Sequence, residues 1–269
     1  MTKFATRSHM GRVYDHNEDS VRCRPELGLF LVADGMGGHA SGEVASRVAA
    51  DAVLEHSATM PLVEAIRMAH LAVVAAAEGD SRGMGSTMVA ATVRNGRLDL
   101  AWVGDSRAYL YRSGELQRIT RDHSLVNLLI DRKELTDAQA QHHPQKNVIT
   151  QTLGHGDPTP SVNSVPLRAR DRVLLCSDGL NDELTDADIA AVLGAHADLE
   201  AAVTALVEQA LAKGGRDNIS AVLIECEAVD AASWRTRFGG RRWRSAVIGI
   251  SAAAALAVLA FVLESMGWI

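Results

Sequence analysis

The chain's carboxylates gather where apolar runs stop or start. Asp34 follows "LFLVA", and Gly35, Gly37 and Gly38 are among the four residues after it. Asp105 follows "LDLAWVG", Asp178 follows "RVLLCS" with Asp182 four places on, and Asp217 directly precedes "NISAVLIE". Glu18 and Asp19 sit in "HNEDS". A single aspartate after a strand is usually a turn or cap residue, and the glycines after Asp34 have a similar account as a turn with positive φ. Several carboxylates at one sheet edge would repel one another and need a positive counter-charge. No lysine or arginine in these motifs supplies all of it, whereas Mg2+ or Mn2+ would. Oxygen donors suit such hard octahedral ions; zinc recruits His and Cys, and no His–Cys cluster of ligand spacing is present. Two ions sharing one carboxylate can deprotonate a water and neutralise an oxyanion in an in-line displacement, which is the chemistry of phosphate ester hydrolysis.

Elements must bring these groups together. "GLFLVA" (28–33), "RVLLCSDG" (172–179) and "NISAVLIECE" (218–227) read as strands, and residues 85–120 as a meander with Asn95-Gly96 and Ser113-Gly114 at tight hairpins. Helices are expected from Ser41 to about His56 and from Pro61 to about Glu78. A Thr185-x-x-Asp188 capping box opens a third, and a fourth runs from Asp198 to Lys213 before Gly214-Gly215. Adjacent antiparallel strands with helices in pairs predict an α+β body rather than alternating βαβ units.

With 27 Lys+Arg against 33 Asp+Glu the net charge is −6, yet five arginines and one acid fall after residue 230. The acidic body lacks the basic footprint that nucleic acid needs. Cys23, Cys176 and Cys226 are odd in number and read as small buried residues in a reducing compartment. The N-terminus has no apolar h-region, which predicts no secretory signal. Ser245–Leu263 is 19 uncharged, mostly apolar residues, long enough for a membrane-spanning helix. Arg235, Arg237, Arg241, Arg242 and Arg244 precede it and Trp243 and Trp268 flank it. The positive-inside tendency keeps such arginines in the cytoplasm. The expected organisation is a body at 1–230, an Arg-rich linker at 231–244, a transmembrane helix at 245–263 and a short tail at 264–269. The expectation is a single-pass tail anchor in the inner (cytoplasmic) membrane with the body in the cytoplasm; a buried core helix is the other account of the apolar run.

The ordered motifs "NED" (17–19), "VADGMGGHASGE" (32–43), "GMGSTMVAA" (83–91), "VGDSRAYLYR" (103–112), "TRDHSLV" (120–126), "CSDGLND" (176–182) and "GGRDNIS" (214–220) resemble the metal-dependent Ser/Thr protein phosphatases of type 2C, the PPM family, in bacterial form. The resemblance covers about residues 3–227. It implies a central sandwich of two antiparallel sheets flanked by helix pairs, in α/β/β/α layers, with the site at one end. It also implies two Mn2+ or Mg2+ ions, with a third at a weaker site. By the resemblance, Asp34 bridges two ions, the Gly35 carbonyl binds one, and Asp178 and Asp217 bind the other. Glu18 acts through an intervening water, and Asp19 orients these groups. Asp122, with Asp178 and Asp182, would form the third site. His39 stands where bacterial members carry a candidate general acid for the leaving serine or threonine oxygen; a cap on the following helix is the other account of it. Asp105 is expected to tie strands together near the site, and Asn218 to support Asp217.

One position departs from the family. Members usually carry arginine three residues before the asparagine of "NED", where it clamps the substrate phosphate; here that residue is Tyr14. Arg12, two residues away along an assumed strand, is the candidate substitute. Loss of the clamp predicts a raised KM with metal-dependent turnover retained. The segment from Ser124 to about Pro160 corresponds to the family's variable flap, and its histidines 142, 143 and 155 fit no ligand spacing. The resulting expectation is a phosphatase acting on phosphoserine and phosphothreonine in proteins, opposing a Ser/Thr kinase. The alternative is a catalytically weakened adaptor that binds phosphoproteins. A nucleotide-binding glycine turn is excluded, because no lysine follows the glycines and an acid stands where phosphate would sit.

Overall fold

In the computed structural model the described residues are 2–37, 40–77, 83–140 and 143–226. Eleven strands form two antiparallel sheets. One has the order β1 (Lys3–His9), β11 (Ile219–Glu225), β10 (Arg172–Cys176), β7 (Arg107–Arg112) and β8 (Glu115–Arg118). The other runs β2 (Asp19–Arg24), β3 (Leu29–Met36), β5 (Met88–Arg94), β6 (Arg97–Val103) and β9 (Ser161–Pro166), with β4 (Gly85–Ser86) paired to β3.

Period-two alternation sorts the side chains. Leu29, Leu31 and Ala33 of β3 face α1 (Ala40–His56) and α2 (Leu62–Ala76) in one apolar cluster. Phe30 and Val32, between them in sequence, join Val89, Leu100, Val173 and Val222 in the layer between the sheets. On the far side Leu174, Cys176, Ala221 and Leu223 pack with α6 (Asp186–Ala195) and α7 (Leu199–Lys213). The layers are therefore helix, sheet, sheet, helix. Thr185 and Asp188 form the expected capping box of α6, and the Asp198 side chain accepts the Ala201 N–H at the start of α7.

The expected meander over 85–120 is divided. β5 and β6 form one hairpin, but the chain crosses to the other sheet at Gly104–Ser106, so β7 and β8 form their hairpin there. Gly104, at φ 99°, permits the crossing, and a Cβ on it would sit 2.6 Å from Thr87 Cβ. The flap contributes α3 (Leu125–Asp131) and α4 (Asp137–Ala140); a bridge at Ser124–Ile149 closes it on itself and one at Ser86–Leu153 ties it to the body. α5 (Asp178–Asn181) follows β10 directly. Cys176 and Cys226 are buried and Cys23 is half-buried, with no disulfide joining them. Among the described residues no helix is long and apolar enough to cross a membrane, and the linker, span and tail expected at 231–269 lie outside those residues.

Candidate active site

Register brings the first two carboxylates together. β2 and β3 pair antiparallel with Asp19 opposite Asp34. β3 then continues past Ala33 because Gly35 and Met36 pair with Ser86 and Gly85. The Asp34 carbonyl accepts from Thr87 N at 2.8 Å and from Ser86 Oγ at 3.0 Å. Gly35 is required by closeness: a Cβ there would lie 2.0 Å from the Gly42 carbonyl oxygen at the start of α1. In the other sheet, β10 delivers Asp178 into α5 and the loop before β11 delivers Asp217.

Asn218 ties the two sheets at this edge. Its backbone N–H donates to Asp217 Oδ1 (2.7 Å), and its Oδ1 accepts the Glu18 N–H (2.7 Å). Its Nδ2 donates to the carbonyls of Met10 (2.9 Å) and His16 (3.1 Å). Ser177 Oγ donates to Asp19 Oδ2 (2.8 Å) while accepting the Ser220 N–H (2.9 Å). The Glu18 carboxylate is held between His16, whose Nε2 is 2.9 Å from Oε1, and Gly42, where a Cβ would fall 2.2 Å from Oε2.

These groups surround a cavity of about 310 Å³ lined by Tyr14, His16, Glu18, Asp34, Asp178 and Asp217, with no lysine or arginine in its lining among the described residues. Burial, followed by the charge of Asp178, drives the Asp34 pKa well above the carboxylate range. Asp178 is raised likewise by burial, then by Asp105 and Asp217. Burial pushes Asp19 up to about 6 and Asp105 up to about 7. Asp19 Oδ1, Asp105 Oδ1 and Asp178 Oδ1 are buried without a hydrogen-bond partner. Unpaired oxygens, clustered negative charge and hard donors together fit Mg2+ or Mn2+. Among the described residues no three His, Cys, Asp or Glu side chains close up tightly enough to hold an ion alone. A cation here would complete its shell with the Gly35 carbonyl and water, as Mg2+ commonly does.

A family model described as protein phosphatase 2C matches residues 7–223. The chain belongs to that family. The serine/threonine protein phosphatase PstP of Mycobacterium tuberculosis is 39% identical over 232 residues, which are 83% of this chain and 45% of PstP. The chain thus spans less than half the length of that relative. The serine/threonine phosphatase Stp of Listeria innocua is 35% identical over 236 residues, 81% of this chain and 94% of Stp. The crystal structure of M. tuberculosis PstP has a TM-score of 0.78 at 39% identity, covering 84% of this chain and 99% of that one. The catalytic domain of PstP in complex with two manganese ions has a TM-score of 0.75 at 37% identity, covering 83% and 97%.

In this protein phosphatase 2C chain, Glu18, Asp34, Gly35, Asp178, Asp217 and Asn218 all border the cavity, and Asp19 stands behind it, opposite Asp34 and bonded to Ser177. Asp182 sits outside the lining, its Oδ2 accepting from Asn147 of the flap at 3.2 Å. Asp122 does not join the site. Both its oxygens are taken by the Arg107 guanidinium (2.7–3.1 Å), because β8 returns beside β7 and the loop after it lays Asp122 against that side chain. Asp105, like Asp19 and Asp178, has a buried unpartnered oxygen; after burial the Asp122 charge raises it most, and Asp178 feels its charge. Arg12 also stays away: residues 11–13 are a turn, not a strand, and its Cγ lies near Gly215 outside the cavity lining. Tyr14 does line the cavity, and the Asp217 charge is the main cause that raises its pKa and keeps its hydroxyl protonated. His39 lies outside the described residues. The residue that sequence reasoning missed is His16, whose only signal was its place two residues before Glu18. Asp15 Oδ1, 2.6 Å from its Nδ1, fixes the ring facing Glu18.

Proposed function

We propose that this chain hydrolyses phosphoserine and phosphothreonine in proteins with two bound Mn2+ or Mg2+ ions. The observation that carries this reading is the convergence of buried carboxylates from both sheets on a cavity that, among the described residues, has no lysine or arginine in its lining. A phosphate dianion would be repelled from such a cavity, so cation binding has to precede substrate binding. Asp34, the Gly35 carbonyl, Asp178 and Asp217 would hold the ions, and Glu18, oriented by His16 and Asn218, would position water beside them. Bound divalent cations supply positive charge to the phosphoryl group and acidify a water that serves as nucleophile. The protonated Tyr14 hydroxyl donates to a phosphate oxygen, and Ile149 and Met36 shield one side of the cavity from solvent. The adaptor reading rests on Tyr14 alone and leaves the carboxylate set unexplained.

Hydrolysis of a phosphothreonine peptide by the native chain is expected only with Mn2+ or Mg2+. Asp34→Asn should lower kcat/KM by a factor on the order of 10³ or more. Metal-independent turnover, or a fully active Asp34→Asn, would count against the mechanism.

Residues 245–263 are proposed as a single membrane-spanning anchor that keeps the domain on the cytoplasmic face, near membrane-bound targets and the kinase it opposes. Nineteen uncharged residues preceded by five arginines support this. Deleting 245–269 should release the protein from the membrane fraction; unchanged fractionation would refute the anchor.

A further inference from the structure

A second groove, of about 580 Å³, adjoins the carboxylate cavity. Its walls are residues 147–152 and 155–158 of the flap, with Met36 at the end of β3. Met36 and Ile149 line both spaces, so a polypeptide whose phosphate sits over Asp34 and Asp178 would pass into the groove on leaving the cavity. We infer that the groove holds the residues flanking the phosphorylated one and selects a basic side chain there. This rests on the phosphatase reading and adds a substrate class to it.

The groove's chemistry is specific. Met36 and Val148 present large apolar side chains at 40% and 43% exposure, a surface suited to the aliphatic stem of an arginine or lysine. Among the described residues its lining contains no lysine or arginine; His155 lines it, and its one carboxylate there is the exposed Asp157. A basic head would therefore meet Asp157, whereas an acidic flank would be repelled by it. The walls are already in place. Leu153 and Ser86 exchange two backbone hydrogen bonds (2.8 and 3.1 Å), the Leu125 N–H donates to the Val148 carbonyl (2.8 Å), and the Gln151 side chain accepts the Thr159 N–H (2.8 Å). A preformed groove loses little freedom on binding, so its charge preference is expressed in affinity.

The test compares two phosphothreonine peptides, identical except for arginine or glutamate on both sides of the phosphoresidue, so that binding direction does not matter. Each kcat/KM is divided by that for phenyl phosphate, which is too small to reach the groove, measured with Mn2+ on the same protein. The full-length chain is expected to favour the arginine peptide about tenfold, combining one attraction and one repulsion of surface strength. Asp157→Lys should bring the ratio to one or below, and Asp157→Asn should fall between. Equal rates on the native protein, or a preference that survives Asp157→Lys, would overturn the inference. Failure of phenyl phosphate hydrolysis on the native protein would strike the phosphatase reading instead. Fluorescence anisotropy of the labelled peptides would still read the groove in that case, with the same ranking expected and equal affinities overturning it.

Discussion

At the scale of single residues, the site is defined by what surrounds each carboxylate rather than by the carboxylates alone. Asp105 and Asp122 are the same side chain in neighbouring loops, yet Arg107 neutralises one and leaves the other with a buried open oxygen. Tyr14 has the same kind of consequence. Among the described residues the cavity lining offers phosphate no guanidinium, and Tyr14 stands there with a neutral hydroxyl. A tyrosine hydroxyl gives the phosphate one hydrogen bond, whereas a guanidinium can give two and a full positive charge, an added contribution on the order of 1.5 kcal/mol. Tyr14→Arg is therefore expected to lower KM for a phosphopeptide about tenfold while moving kcat less. Steady-state kinetics at saturating Mn2+ check this, and an unchanged KM would show that the tyrosine position does not reach the phosphate.

At the scale of elements, the site depends on how closely the end of β3 meets the start of α1. A Cβ on Gly35 would strike the Gly42 carbonyl, a backbone atom that cannot move without separating strand from helix. A Cβ on Gly42 would strike only the end of the Glu18 side chain, which can swing away. Gly35→Ala should cost on the order of 3 kcal/mol and abolish Mn2+ binding. Gly42→Ala, which gains about 1 kcal/mol in helix propensity, should keep the melting temperature but weaken Mn2+ binding. Thermal melts with and without the metal, beside calorimetric titration, separate the two; equal losses of stability would refute the distinction. Much of this architecture was legible in the sequence. β3, β10 and β11 are apolar runs, Asn95-Gly96 and Ser113-Gly114 lie at hairpins, and the caps of α6 and α7 stand where Thr185 and Asp198 place them. β1 and β9 carried no such signal, because edge strands with mostly exposed side chains have no hydrophobic periodicity to read. Nor does alternation say to which sheet a strand belongs, and so the crossing at Gly104–Ser106 was hidden. The converging acids could be read from their positions at strand ends. The Arg107–Asp122 pair and the His16–Glu18 contact could not, since both depend on a turn's path in three dimensions.

At the scale of the whole molecule, the carboxylate cluster makes the fold's stability depend on pH and metal together. Asp19, Asp105, Asp34 and Asp178 all have folded-state pKa values above the unfolded 3.8, Asp19 at about 6 and Asp105 at about 7. Between pH 4 and 7 the folded chain therefore binds more protons than the unfolded one, and stability falls as pH rises through that window. His16, raised by Asp15 and Glu18, acts in the same direction, whereas burial lowers His70 and His123 and makes them oppose it. Asp188, held down to about 2 by Lys213 and Thr185, loses its contribution only below this window. A divalent cation competes with the same protons, so its stabilising effect should grow with pH. The metal-free protein is expected to melt on the order of 5 °C lower at pH 7.5 than at pH 5. Saturating Mn2+ should add far more at pH 7.5 than at pH 5. Asp105→Asn removes one raised carboxylate while keeping its shape, and should flatten the metal-free profile. A metal-free melting temperature that rises from pH 5 to 7.5, with an equal Mn2+ increment at both, would mean that these carboxylates are neutralised by something other than protons and divalent cations.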